Sequence, residues 1–372
     1  MEFTLSDEQV MLRDTVRELL TRTYDIETLR AVTDTPLGWS RDVWSSLAEI
    51  GILGLVFDEQ YDGMGAGPEE LAVVMGEFGA ALAPEPFLDG VVVPGLLVER
   101  SDADGETKSA VLGALASGER LAAFAHHEQG DRWPSYAVGT AFAGGVIDGT
   151  KTLVAAGDCA DVFVVSARDA DGRVGLYLVE ADQAGVARIG YRTHDDRRGA
   201  QVTFTGAAAT PLPSGDASAL ISGVQVAQQN ALCAEAVGAM TKSLNLTTEY
   251  LKQRKQFGVP LAAFQALTHR AADMYVALEL ASSMSAYLTA ALAEDSADEI
   301  TASRTKLQIC RSGRLVGQEA IQMHGGIGMT AEYPVAHYVS RLTAIGHTLG
   351  DADSHLSILS SRLRDWPMVM VG

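Results

Sequence analysis

The chain has 372 residues, 47% hydrophobic and 20% charged, with a formal net charge of −20. That is ordinary globular composition, long enough for a large core in two or three layers, and the negative field disfavours a nucleic-acid partner because it repels phosphate backbones. Three widely spaced cysteines (Cys159, Cys233, Cys310) suit a reducing, cytoplasmic setting and point to neither a disulfide framework nor a cysteine metal site, while the acidic start from Met1 to Glu8 lacks a signal peptide's basic and apolar blocks and no apolar stretch reads as a membrane span.

Residues 1–118 read as helical. Ser6 and Gln9 have capping-box spacing, and Leu12, Val16, Leu19 and Leu20 follow on one helical face. Trp44, Leu47, Ile50 and Leu53 continue a helical period up to Gly51 and Gly54. Residues 63–68 read as a loop, and Pro68-Glu69-Glu70 opens another helix with the proline and acids suited to a first turn. Residues 119–214 change texture. Short β-prone runs at 145–148, 161–166, 175–179 and 201–204 alternate with Gly144-Gly145, Asp148-Gly149 and Asp171-Gly172, which predicts a small antiparallel sheet or barrel. From 215 to 372 the chain is helical again, with long periodic stretches at 224–253 and 262–294 and Gly238 as the main breaker in the first. Helix, sheet, helix is an α+β pattern in three domains, 1–118, 119–214 and 215–372.

Two motifs in the last third carry chemistry. The first is Arg254-Lys255-Gln256-Phe257-Gly258, with Gln265 shortly after. The second is Gln322-Met323-His324-Gly325-Gly326-Ile327-Gly328, running into Glu332-Tyr333-Pro334-Val335. Arg254 offers a planar fork for phosphate oxygens. Gln265 and Gln322 offer amides, and Gly325 and Gly326 let backbone N–H groups approach an anion with no Cβ in the way. Taken singly, Arg254 reads as a solvated helix arginine, Phe257 as core, Gln322 as a surface amide and the glycines as a tight turn. The glycine cluster follows a helical pattern, so it is not a dinucleotide fingerprint, which follows a strand.

In order and spacing, the pair resembles the flavin-binding signature of the acyl-CoA dehydrogenase family. Trp44-x-x-Leu47-x-x-Ile50-Gly51-x-Leu53-Gly54, followed by Glu59-x-Tyr61-x-Gly63-x-Gly65, resembles that family's N-terminal segment. The resemblance implies an N-terminal helical domain, a middle β domain and a C-terminal four-helix bundle. It implies FAD as cofactor, an acyl-CoA thioester as substrate and an electron-transfer flavoprotein as acceptor. It also implies an oligomer, in which Arg254, Phe257, Gln265, Gln322, Gly325 and Gly326 reach a neighbouring subunit's flavin. His127 and Ala155 are secondary cofactor contacts on the middle domain.

The family's reaction needs a carboxylate base beside the α-carbon. A gapless count from Glu332-Tyr333-Pro334 places one branch's glutamate at Leu349, and counting back from Tyr250 and Arg254 places the other branch's at Gln228. Neither residue is a base. Gln229 stands where many members carry an arginine. The 125–130 segment resembles the flavin-side loop, with His127 for a usual threonine, and Leu153 and Ala155 stand for the Trp and Thr presented to the flavin ring. Glu235, two turns after Gln228, is the remaining carboxylate candidate on that face, with a surface or interface salt bridge as its competing role. His347, Asp351, Asp353 and His355 invite a metal reading, but residues 350–354 look like a capped helix start, and no Gly-x-Ser-x-Gly motif occurs.

The chain is therefore similar to the small subunit of heteromeric bacterial acyl-CoA dehydrogenases of pimeloyl-CoA and steroid side-chain type. Such a subunit completes the FAD site of a catalytic partner. Two other readings stay open: a self-sufficient homo-oligomeric flavoenzyme using a base such as Glu235, and a flavin-free homologue that binds acyl-CoA or a partner protein.

Overall fold

The computed structural model describes residues 4–135 and 138–363. Met1 to Phe3, read above for a signal peptide, and residues 364–372 of the expected C-terminal domain lie outside the described residues.

Helix α1 (Asp7–Thr23) opens on the expected capping box: Ser6 N–H donates to Gln9 Oε1 at 3.0 Å and Gln9 N–H to Ser6 Oγ at 3.2 Å. Asp25 caps α2 (Ile26–Thr33) and Ser40 caps α3 (Arg41–Glu49), which buries Val43, Trp44 and Leu47. The period expected to run through Ile50 and Leu53 stops earlier. Gly51 takes φ +80°, a conformation that ends the helix, so Ile50 is 38% exposed and Leu53 reaches the core from a 3₁₀ turn, Ile52–Gly54. Then follow α4 (Pro68–Ala81), a π-helical turn (Leu88–Val92), α5 (Val93–Glu99) and α6 (Gly105–Ala116).

The sheet comprises β1 (Ala122–Ala125), β2 (Ala141–Ala143), β3 (Val146–Ala155), β4 (Val162–Arg168), β5 (Val174–Glu180), β6 (Val186–Arg192), β7 (Arg198–Ala208) and β8 (Thr210–Leu212). Its order is β6-β7-β3-β2-β4-β5-β8, with β1 also on β4. Most ladders are antiparallel, as expected, but β1 and β2 both pair with β4 in parallel. That long-range pairing has no local sequence signal. Residues Val162 to Ala167 are buried on both faces, as in a central strand. Phe163, Val165, Tyr177, Val179, Val202 and Phe204 form the core of the sheet.

The rest is helical apart from a short hairpin. Helix α7 (Ser218–Gln253) is followed by the hairpin β9 (Lys255–Gln256) and β10 (Val259–Pro260), then α8 (Gln265–Ala293), α9 (Glu299–His324), α10 (Val335–His347) and α11 (Ala352–Ser361). The helix expected from 262 starts at Gln265, because residues Leu261–Ala263 form a 3₁₀ turn after Pro260. Hydrogen bonds tie α7 to α10 as one bundle: Thr289 Oγ1 to Asn230 Oδ1 (2.8 Å), Ser312 Oγ to the Ala277 carbonyl (2.7 Å) and Arg341 Nε to Glu235 Oε1 (2.7 Å). Helix α8 is long and apolar enough to cross a membrane by length and composition, although no such span was anticipated; within the fold it is a bundle helix, ion-paired to α9 through Arg270 and Glu319. Gly238 is a contact residue, since a Cβ there would meet the Gly76 carbonyl oxygen at 1.9 Å.

Residues 14–71 and 83–228 form one compact unit, holding most of the N-terminal helices and the whole sheet. Residues 4–13, 72–82 and 229–363 form the other, holding the bundle.

Candidate functional site

In the bundle unit, both sequence motifs come to one end. Arg254 follows the last turn of α7, where its N–H donates to the Tyr250 carbonyl at 2.8 Å. The Tyr250 ring stacks on His324 at 4.5 Å, and His324 packs against Tyr333 at 4.9 Å. This aromatic stack joins the Arg254 segment, the Gln322 segment and the Glu332-Tyr333-Pro334 segment. His324 Nδ1 donates to the Ala320 carbonyl at 2.8 Å, and burial lowers the imidazole's pKa.

The polar groups around this stack face outward. Arg254 is exposed, and its guanidinium makes no ion pair among the described residues. Gln265 is the first residue of α8, whose N-cap, Phe264, gives no side-chain cap. Gln322 is exposed on the last turn of α9. Gly325 takes φ +65° and ψ −142°, a backbone for glycine alone, and a Cβ on Gly325 or Gly326 would meet nothing within 4 Å. Phe257 and Gly258, at φ +54° and +84°, form the two-residue turn of the β9–β10 hairpin. The Phe257 ring is 91% exposed. A guanidinium without an acid partner, two exposed amides, a bare glycine backbone and an outward aromatic ring suit the pyrophosphate and adenosine portion of FAD.

In the sheet unit, the 125–130 loop is held from beneath by a buried lysine. Lys151 Nζ donates to the His126 carbonyl (3.0 Å), to Glu128 Oε1 (2.8 Å) and to Ser166 Oγ (3.2 Å). Glu128 also accepts from the N–H groups of Gly139 and Thr140 and from the Thr140 hydroxyl. Burial pushes Glu128 upward, but the Lys151 ammonium and the Thr140 donors outweigh it and bring the carboxyl down to about 2. Burial, with Lys151 and His127 nearby, lowers His126 to about 4. His127 is half-buried and its carbonyl accepts from Thr152 N–H at 2.8 Å. Ala155 pairs with Gly199 in the β3–β7 ladder. Leu153 lies in an irregularity between Lys151 and Val154, at φ +53° and 70% exposed, so the sheet presents an apolar side chain where the family resemblance expects an indole.

The two positions where a glutamate was sought are closed or neutral. Leu349 is 6% exposed at φ +54°. Its carbonyl accepts from Gln229 Nε2 (3.3 Å) and from His355 Nε2 (3.0 Å). Lys306 Nζ donates to the carbonyls of Ile345 (2.7 Å), Thr348 (2.8 Å) and Gly350 (3.1 Å). Gln228 Nε2 donates to Asp89 Oδ1 at 2.9 Å. Glu235 is fully buried and bound through both oxygens to Arg341, at 2.7 and 2.6 Å. The surface or interface pair expected for it is thus a buried pair within the bundle. Asp351 caps α11 through Ser354 N–H, His355 turns inward, and no metal-holding group of three side chains occurs among the described residues.

Sequence reasoning missed Lys151, Lys306, Arg341 and Asp89. Each looks like a solvated charge in a linear reading. The available signal was weak: a charge inside an otherwise apolar stretch, such as Lys306 on the face of α9 that carries Ala302 and Ile309.

A helical domain, a β sheet and a helical bundle in this order are the architecture of an acyl-CoA dehydrogenase. The chain belongs to that family of FAD-dependent oxidoreductases of β-oxidation: residues 6–119 match "Acyl-CoA dehydrogenase, N-terminal domain" and residues 228–363 match "Acyl-CoA dehydrogenase, C-terminal domain". It is 29% identical to the acyl-CoA dehydrogenase IpdE2 of Mycolicibacterium smegmatis, over 96% of this chain and 100% of the relative. It is 26% identical to FadE27 of Mycobacterium tuberculosis, over 99% of this chain and 100% of the relative. Among solved structures it resembles the ChsE4-ChsE5 complex from Mycobacterium tuberculosis (TM-score 0.89, 25% identity, 99% of this chain and 100% of that one). It also resembles a variant of the steroid acyl-CoA dehydrogenase Tcur3481-Tcur3483 (TM-score 0.88, 29% identity, 97% and 99% covered).

Proposed function

We propose that this chain is a subunit of a cytoplasmic acyl-CoA dehydrogenase that desaturates an acyl-CoA thioester between its α and β carbons. Its bundle supplies Arg254, Phe257, Gln265, Gln322, Gly325 and Gly326 to the FAD of a catalytic partner chain. The acceptor of the electrons is an electron-transfer flavoprotein. One contrast carries the reading. The groups suited to a neighbour's cofactor are exposed and, among the described residues, make no ion pair with an acid, whereas the family's two base positions hold a buried leucine and an amide.

The exposed Tyr275, Val276, Leu280 and Tyr287 of α8 support an oligomer, because large apolar side chains clustered on one helix need cover. The solved relatives include one described as a ChsE4-ChsE5 complex, which supports a heteromer over a homomer. When bound, FAD accepts the hydride; this chain's part is to hold the pyrophosphate and position the cofactor.

The test is FAD per chain, by absorbance after denaturation, for the chain alone and coexpressed with a neighbouring dehydrogenase gene product. Little FAD alone and about one per pair in the assembly is expected. Arg254→Ala should then lower flavin retention in the assembly at least 10-fold, as loss of a charge-assisted phosphate contact of about 1.5–3 kcal/mol implies. One FAD per chain in the isolated protein would instead support a self-sufficient homo-oligomer.

A further inference from the structure

The outward groups at the end of the bundle come from three segments, and one inward side chain packs where those segments meet. His324 is 4% exposed and lies between Gln322 and Gly325 at the C-terminus of α9. Its ring meets Tyr250 at 4.5 Å and Tyr333 at 4.9 Å. The 3₁₀ turn Gly325–Met329 folds back on it, so that a Cβ on Gly328 would lie 2.8 Å from the His324 Cβ. Backbone bonds carry these contacts outward. Arg254 N–H donates to the Tyr250 carbonyl and Leu261 N–H to the Arg254 carbonyl, both at 2.8 Å, while Gly325 N–H donates to the Ile321 carbonyl. The imidazole Nδ1 donates to the Ala320 carbonyl at 2.8 Å, but Nε2 is buried with no hydrogen-bond partner among the described residues. A bare buried polar atom costs free energy that a phenylalanine would avoid, so filling space does not account for a histidine here.

We propose that His324 is a positioning residue of the cofactor site: its neutral imidazole holds the Arg254 segment and the Gly325-Gly326 backbone at the spacing that lets both grip one pyrophosphate, and loosens that grip when it gains a proton. The assignment rests on the FAD reading of this end of the bundle, and not on which subunit holds the rest of the cofactor. The titratable side chains packed on the ring are Tyr250 and Tyr333, phenols and not carboxylates. The Ala320 and Leu246 carbonyls favour the charged ring, but burial outweighs them and lowers its pKa. A proton on Nε2 therefore places a poorly compensated charge inside the stack. With the folded value below the ordinary 6.5, the neutral stack is at full strength above 6.5 and is lost as pH falls through the folded value.

FAD release is followed by flavin fluorescence in whichever preparation holds FAD, the isolated chain or the coexpressed assembly, as pH is lowered through 6.5. Native release accelerates below that value. His324→Leu releases FAD about 10-fold faster at neutral pH, the loss expected for one neutral hydrogen bond and its ring contacts. His324→Phe keeps the stack, so its release returns towards the native rate, but it no longer accelerates as pH falls. Combined with Arg254→Ala, His324→Leu adds less than its own 10-fold, because both changes act on one grip; a merely structural histidine would give independent effects. In the FAD-free chain, hydrogen exchange at the amides of residues 325–330 rises in His324→Leu and stays native in His324→Phe. Release unchanged in His324→Leu, or an acid acceleration that survives in His324→Phe, overturns the assignment of His324 alone, and the phenylalanine variant decides if the leucine variant does not fold. FAD absent from both preparations overturns the FAD reading, and the assignment goes with it.

Discussion

Replacing Lys306 by methionine tests whether the segment around Leu349 is held by a buried ammonium. Lys306 is fully buried and its three carbonyl contacts, at 2.7, 2.8 and 3.1 Å, use all three of its N–H donors. Burial lowers its pKa, with the Cys310 and Cys233 sulfurs opposing weakly. Hydrogen bonds from a charged donor contribute about 1.5–3 kcal/mol each, so three give roughly 4.5–9 kcal/mol gross. Against this stands the cost of burying an ammonium, several kcal/mol, which methionine does not incur. Methionine fills the space but leaves up to three buried carbonyls short of a donor, at about 1–3 kcal/mol each. The expected net loss is about 3–5 kcal/mol, or roughly a 10²–10³-fold change or more in the local opening constant. Urea unfolding gives the global part, and hydrogen exchange at the amides of residues 345–355 gives the local part. A loss below about 1 kcal/mol, with protection of those amides unchanged, would refute the reasoning, because the carbonyls would then have other donors.

Arg341→Met strands the Glu235 carboxylate in the bundle and should cost about 3–5 kcal/mol, whereas Glu235→Met combined with Arg341→Met should recover most of that loss; denaturant midpoints of the two variants check the difference. Phe257→Gly should stabilise the isolated chain by about 1 kcal/mol, by relieving a left-handed non-glycine residue, while weakening flavin retention in the assembly; urea midpoints and FAD content read the two effects separately. Glu85 accepts hydrogen bonds from the Tyr24 hydroxyl and Ser40 N–H, and burial raises its pKa above the ordinary 4.5 despite those donors. A raised folded value means that its stabilising contribution is full below the ordinary value and is lost as pH rises through the folded one. Glu85→Gln should therefore gain on the native protein as pH rises above the ordinary carboxyl value of 4.5, and unfolding midpoints that keep a constant difference as pH rises from there would contradict it.

The parts of the fold that depend on local pattern were readable. The capping box at Ser6 and Gln9, the helical period of α3 and the turn-punctuated strands all follow from residues close in sequence. The parallel pairing of β1 with β4 was not, since it joins Ala122 to Val162 across a long excursion and leaves no mark on either segment. The helix-ending role of Gly51 was half visible: the glycine was noted, but not that its left-handed backbone would free Ile50 from the core. At the candidate site, the motif residues could be named but their surroundings could not. Lys151 and Lys306 are buried because carbonyls and one carboxylate from distant segments converge on them, and no linear pattern encodes that convergence. The neighbour of Gln228 was equally hidden, because Asp89 reaches it from a π turn that helical periodicity does not anticipate.

The segment around Leu349 is shaped through backbone atoms. Lys306, Gln229 and His355 all grip carbonyl oxygens, and none of these bonds involves the side chain at position 349. The identity of that residue is therefore decoupled from the architecture that presents it. A member of such a family can exchange a reactive group there for an inert one and keep its framework, which gives a duplicated gene a direct route from enzyme to accessory subunit.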